Sequence, residues 1–281
     1  MFINAPVSLI EIDTKGFIYN WNREAEKTFQ YSGDEALGKN VYELIVHKDN
    51  VKNIDSVVSS ASESNHIVYS ENANIRKDGE KLLCQWANLP FETEDRNFKR
   101  VICMARDITS EKAMAEKLYQ AAHYDELTGL ANRTLVLDLF KEAIADAKRH
   151  QQQIAILFID LNDFKGINDR YGHLVGDEVL RQVAARLKQA LRESDLVGRL
   201  SGDEFLVIIK DLHNKRDLDK VIGKISTAIE SEMLVNNLSL TVSASIGVSH
   251  YPQEAEEIQQ LIQIADQQMY KVKAASQSNK I

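Results

Sequence analysis

Three carboxylates dominate the chemistry this sequence offers. Asp160 follows the apolar run Ile154-Ala-Ile-Leu-Phe-Ile159, so a buried strand delivers an acid to its C-terminal edge, where ligands gather in helix-covered sheets. Asp203 and Glu204 stand in the polar turn Ser201-Gly202-Asp203-Glu204, between Val197–Leu200 and the apolar Phe205–Ile209, which predicts a hairpin with acids at its tip. If that hairpin lies beside the Asp160 strand, acids 43 and 44 positions apart (203 − 160 and 204 − 160) converge. Carboxylates that close repel one another. A hard divalent cation resolves the conflict, and Mg²⁺ takes carboxylates, a backbone carbonyl and phosphate oxygens. Acids on a solvated turn are the other reading of the same residues.

Such a site needs folded domains to hold it, and 281 residues suffice for two at about 150 apiece. Hydrophobic residues at 44% and charged residues at 27% suit a folded soluble chain, not a disordered or membrane-embedded one. Lys and Arg number 34 against 42 Asp and Glu, a net charge of −8, so no DNA or RNA partner is expected and a phosphate ligand needs local cations. Cys84 and Cys103 make neither a disulfide framework nor a metal cluster and are expected as buried thiols in strands. No basic segment precedes an apolar stretch at the N-terminus, and no apolar run reaches about 18 residues. A cytoplasmic protein with no membrane segment is the expectation.

The first hundred residues read as short strands with turn punctuation. Val7–Asp13 passes through Thr14-Lys15-Gly16 into Phe17–Trp21, and Lys77-Asp78-Gly79 leads into Lys81–Phe91, with a last strand at Arg100–Ile108. Arg23–Phe29, Val41–Ile45 and Val51–Ser60 space their apolar residues by three and four and are predicted helices. This order resembles a PAS domain over residues 1–109. The resemblance rests on Asp13-Thr-Lys-Gly16, Asn20-Trp-Asn-Arg23, Phe29-Gln-Tyr31, Leu37-Gly38, Arg76-Lys-Asp-Gly79 and Arg106-Asp-Ile-Thr109. In PAS proteins the last piece is similar to the junction where the final strand enters a signalling helix. Residues 110–124 contain no Gly or Pro and are predicted as a helical linker. Its Ala115, Leu118 and Ala122 share a face suited to a seam between protomers or to docking on its own domain. The PAS ligand is unknown. Asn40-Val-Tyr42 offers no cysteine for a flavin adduct, and His47 and His66 are the only histidines there for a haem.

From residue 125 onwards strands alternate with longer helices, predicted at Ile154–Ile159, Asp177–Leu191, Phe205–Ile209, Leu240–Val248 and Glu254–Lys273, with strands buried under helices. Five motifs run in order: Asp125-Glu-Leu-Thr-Gly-Leu-Ala-Asn-Arg133, Asp160-Leu-Asn-Asp-Phe-Lys-Gly-Ile-Asn-Asp169, Tyr171-Gly-His-Leu-Val-Gly-Asp177, Arg199-Leu-Ser-Gly-Asp-Glu-Phe205 and Ala265-Asp-Gln-Gln-Met-Tyr-Lys271. On these, roughly residues 123–275 resemble the GGDEF domain of diguanylate cyclases, and 125–281 are expected to form that domain. The implied fold class is α+β: an antiparallel PAS sheet with short helices, a helical linker, and an α/β sandwich similar to the nucleotidyl-cyclase palm.

The resemblance implies that two GTP molecules condense to cyclic di-GMP and two pyrophosphates in a homodimer, with Mg²⁺ or Mn²⁺. It makes Asp160, Asp203 and the Leu161 carbonyl metal ligands. Asp203 is also the family's proposed proton acceptor, but a tightly coordinated carboxylate is a weak base, so the metal role is favoured. Glu204 joins Asp203 as a catalytic acid, and Lys165 stabilises transition-state charge. Phe164, Gly202 and Lys273 border the triphosphate, Asn168 and Asp177 read the guanine edge, and His173 sits beside them. N-capping of the predicted helix is a second explanation for Asp177. Arg192-Glu-Ser-Asp195 is similar to the family's Arg-x-x-Asp product-inhibition site. Two residues depart from the pattern. Ser201 replaces a glycine and predicts a strained turn or narrowed pocket; Asn162 replaces an aspartate and is expected to point away from the metal. An inactive domain that serves as a receptor for GTP or cyclic di-GMP is the alternative function.

Overall fold

The computed structural model describes residues 2–46, 66–92, 99–212 and 215–278; His47 and the predicted helix Val51–Ser60 lie outside them. The chain forms two compact units, Met1–Lys117 and Leu118–Ile281.

The first unit comprises β1 (Ser8–Asp13), β2 (Ile18–Trp21), α1 (Arg23–Phe29), α2 (Gly33–Ala36), α3 (Val41–Ile45), β3 (Val68–Ile75), β4 (Lys81–Glu92) and β5 (Lys99–Asp107). Its sheet has the order β2-β1-β5-β4-β3 and every pairing is antiparallel. Alternation explains which face is covered: Leu82, Cys84 and Trp86 of β4 and Val101, Cys103 and Ala105 of β5 are buried. Phe29 of α1 fills the space between Trp21 and Trp86, with ring centroids 5.6 and 6.0 Å apart. Asn22 fixes the entry to α1, accepting from the N–H groups of Ala25 and Leu9, each at 2.9 Å. Burial pushes both cysteine thiols up to about 12, so they are packing groups and not nucleophiles at neutral pH.

At the end of β5, Asp107 accepts from the Thr109 N–H at 2.9 Å and from the Arg76 guanidinium at 2.8 Å. The Thr109 hydroxyl in turn accepts from the Leu83 N–H at 2.8 Å. These bonds anchor the first turn of α4 (Thr109–His123), which has no buried residue and exposes Met114, Leu118 and Tyr119.

The second unit comprises α5 (Arg133–His150), β6 (Ile154–Leu161), α6 (Phe164–Tyr171), α7 (His173–Ala190), β7 (Leu196–Ser201), β8 (Glu204–Ile209), α8 (Lys215–Glu230), β9 (Met233–Val235), β10 (Leu238–Leu240), β11 (Ala244–Tyr251) and α9 (Ile258–Ser278). The main sheet is β11-β6-β8-β7, antiparallel at each pairing. Every residue of β6 is buried because helices cover both faces. Ile154, Ile156 and Phe158 pack with α5 and α9, whereas Ala155, Leu157, Ile159 and Leu161 pack with α7 and α8. The protein is therefore α+β, with strand faces that read as a continuous apolar run. Among the described residues no helix is long and apolar enough to cross a membrane.

Gly247 of β11 sets how closely α9 approaches. A Cβ there would lie 1.9 Å from the Ala265 carbonyl oxygen and 2.2 Å from the Met269 nitrogen. Gly247→Ala is expected to cost about 1–3 kcal/mol by overpacking. It should also push α9 off the sheet, seen as a lower urea midpoint for the second unit.

Candidate active site

β6 and β8 pair in a register that sets Asp160 opposite Glu204, and the Leu161 N–H donates to the Asp203 carbonyl at 3.3 Å. Directly opposed residues share a sheet face with Cβ atoms about 5 Å apart. The structure thus brings Asp160, Leu161, Asp203 and Glu204 to one end of the sheet. Burial, and after it the charge of Asp160, pushes the Asp203 carboxyl above the usual carboxylate range, with Glu204 adding to the shift. Lys273 of α9 forms an ion pair with Asp160. Among the described residues no three Asp, Glu, His or Cys side chains form a closed metal cage. Mg²⁺ does not require one, since it usually takes one or two carboxylates and completes its shell with water and substrate phosphates. The donors here are hard oxygens, so they fit that ion.

The turn between β7 and β8 corrects the expectation of strain at Ser201. The left-handed residue is Gly202, with φ +49, and Ser201 is not among the residues with positive φ. The serine hydroxyl donates instead to Glu204 Oε2 at 2.8 Å. Asn162 turns toward β11: its amide donates to Ser243 Oγ at 3.0 Å and accepts from the Ser245 hydroxyl at 2.8 Å. Since β11 and β8 flank β6 on opposite sides, that side chain leads away from Glu204.

The remaining nucleotide candidates follow β6. Phe164 is buried in the core at the start of α6, and Lys165 beside it is exposed. Asn168 lies against Gly176 of α7, where a Cβ would fall 1.9 Å from Asn168 Oδ1. Glycine at 176 therefore brings Asn168 to the helix that carries the half-buried Asp177. The helix α7 begins at His173, which is exposed, after Gly172 with φ +86. Asp177 thus stands in the second turn and is not an N-cap, which removes capping as its explanation.

Arg192 and Asp195 lie at the other end of the hairpin, about 20 Å from its tip at strand rise. Asp195 accepts from the backbone N–H groups of Arg192 and Lys210 at 3.1 and 3.3 Å, and Arg192 is exposed. The two border a cleft shared with Tyr124, Leu135, Leu139 and Lys188.

One pair had no role assigned from sequence. Arg199 donates to both oxygens of Asp125 at 2.9 and 3.1 Å and, through Nε and Nη2, to the Gly202 carbonyl at 2.9 and 2.6 Å. Its guanidinium therefore clamps the turn that carries Asp203 to the segment just after α4. The available signal was a pair of opposite charges, each inside a recognisable motif.

The second unit is thus an antiparallel sheet covered by helices on both faces with acids gathered at a hairpin tip, and the first is an antiparallel sheet with short helices on one side of its strands. Comparison with known proteins bears on both. Residues 1–108 match the PAS fold, and residues 122–279 match the family "Diguanylate cyclase, GGDEF domain". The chain belongs to the GGDEF family, with a PAS domain preceding the GGDEF domain.

Among curated relatives, the diguanylate cyclase TpbB of Pseudomonas aeruginosa is 38% identical over 164 residues, covering 58% of this chain and 38% of that protein. The solved TpbB GGDEF domain is 39% identical with a TM-score of 0.53, covering 54% of this chain and 90% of that one. The cyclic di-GMP phosphodiesterase PdeR of Escherichia coli is 27% identical over 277 residues, covering 96% of this chain and 40% of that protein. The GGDEF domain of DgcB from Caulobacter crescentus, solved in complex with cyclic di-GMP, is 28% identical with a TM-score of 0.51, covering 55% of this chain and 91% of that one. The chain thus spans about two fifths of the length of the curated relatives it matches.

Proposed function

We propose that the chain is a PAS-regulated diguanylate cyclase that condenses two GTP into cyclic di-GMP and two pyrophosphates in the cytoplasm. The observation that carries this reading is the Asp160–Glu204 register with Asp203 in the adjoining turn. In this reading residues 1–109 are the sensor, 110–124 the linker and 125–281 the cyclase. Each cyclase domain holds one GTP, and in a homodimer the 3′-hydroxyl of each attacks the α-phosphate of the other, expelling pyrophosphate.

Asp160, Asp203 and the Leu161 carbonyl, with Glu204 beside them, would hold Mg²⁺ or Mn²⁺. The cation supplies neutralisation of the triphosphate charge. Lys165 and Lys273 donate to phosphoryl oxygens as charge develops, and Gly202 and Phe164 shape the path of the triphosphate. The Asn168 amide donates and accepts on the guanine edge, Asp177 accepts from its amino and imino groups, and His173 stands at the rim. Arg192 and Asp195 take the guanine of bound product, which slows turnover.

Purified full-length chain incubated with GTP and Mg²⁺ should give cyclic di-GMP and pyrophosphate on chromatography. Unreacted GTP would leave the receptor reading, and linear product from added cyclic di-GMP would point to hydrolysis instead.

A further inference from the structure

We infer that Lys273 and the divalent cation compete for Asp160, so that arrival of the cation hands the lysine over to the triphosphate. This rests on the cyclase reading and adds an order of events to it. The ammonium of Lys273 is paired with Asp160 Oδ1, and the two side chains are only 28% and 12% exposed. Asp160 is also the acid to which that reading gives the metal. An ammonium and a divalent cation repel at contact range in a half-buried site, so the presence of one on this carboxylate weakens the hold of the other.

The fold fixes one end of the exchange. Met269, one turn before Lys273, lies on β11 at Gly247, where the backbones of α9 and β11 meet. The Lys273 backbone is therefore held, and its flexible stem carries the charge between positions. Once displaced, the ammonium finds compensation in the phosphate oxygens that arrive with the nucleotide. Lys273 thus opposes binding of the cation alone and favours binding of cation with nucleotide, which makes the two cooperative.

Mn²⁺ serves as the probe, with free ion measured by electron paramagnetic resonance in full-length protein without nucleotide. Lys273→Gln is expected to bind Mn²⁺ about 10-fold tighter than wild type, within the usual range of site coupling. At saturating Mn²⁺ the same variant should bind a non-reactive GTP analogue about 10-fold more weakly. Lys273→Arg keeps the charge and should follow wild type in both measurements. If Lys273→Gln is less stable because Asp160 has lost its partner, Mn²⁺ should raise its melting temperature more than that of wild type.

Unchanged or weaker Mn²⁺ binding by Lys273→Gln, or no Mn²⁺ binding by either protein, overturns the competition. Turnover of GTP by the wild type is scored separately. A protein that makes no cyclic di-GMP yet shows the Mn²⁺ gain keeps the competition and loses the cyclase reading.

Discussion

Exchanging Asp203 for asparagine is expected to lower the rate of cyclic di-GMP formation about 100-fold or more. The reason is chemical and not structural. Asparagine keeps the size of the side chain, the bond that ties this turn to β6 uses the Asp203 backbone carbonyl, and the left-handed position belongs to Gly202. What disappears is one negative oxygen beside Asp160, in a site where burial and that neighbouring charge already hold the acid above its ordinary range. Steady-state rates with circular dichroism as a folding control decide the matter. Turnover near that of wild type would remove Asp203 from the machinery.

The second large effect is expected at a residue assigned no contact with substrate. Arg199→Ala should cost about 2–4 kcal/mol of stability, because the Asp125 carboxylate and the Gly202 carbonyl lose a half-buried charged donor. The side chains of Arg199 and Asp125 are only 11% and 24% exposed. Arg199→Lys restores the charge but not the planar fork that serves both acceptors, so its recovery should be partial.

The pH dependence has a definite sign. Burial pushes the Asp125 carboxyl up, but hydrogen bonds from Thr128 and Arg199 outweigh it and hold the group below the usual carboxylate range. Its contribution is therefore present above the unfolded pKa of about 3.9 and is lost as pH falls through the lower folded value. Urea unfolding of wild type should weaken on going from pH 7 to about pH 3, and Arg199→Ala should flatten that loss. In kinetics the variant should lower kcat, because the clamp ends on the carbonyl immediately before Asp203. Equal acid sensitivity in the two proteins would dissociate Arg199 from Asp125.

Much of the site was legible because its parts are local. β6 and β8 are built on apolar runs, with Asp160 at the end of the run in one and Glu204 opening the other. What escaped depends on distance or on tertiary contact. α7 starts at His173 rather than Asp177 because Gly172 breaks the chain without a side-chain cap to announce it. β11 continues to Tyr251 and α9 begins only at Ile258, since Pro252 and the turn after it delay the helix. Arg199 and Asp125 are 74 positions apart, and nothing in either motif names the other. The need for glycine at 247 exists only once a helix rests on it. Of the two expectations at Ser201, the strain does not appear for a related reason: the residue type suggested it, whereas the left-handed dihedral belongs to Gly202.

The helix α4 carries one further consequence. Fifteen residues with no buried side chain are close to the length at which an isolated helix in water is only marginal, its nucleus being costly and its propagation weak. Here nucleation is already met at both ends: Asp107 and Thr109 hold the first turn, and Asn132 donates to the carbonyls of Ala122 and His123 at the last. The middle is therefore where melting begins. The ladder of amide bonds between Thr109 and His123 is supported at its ends alone, so covering the exposed Met114 and Leu118 would stabilise its middle.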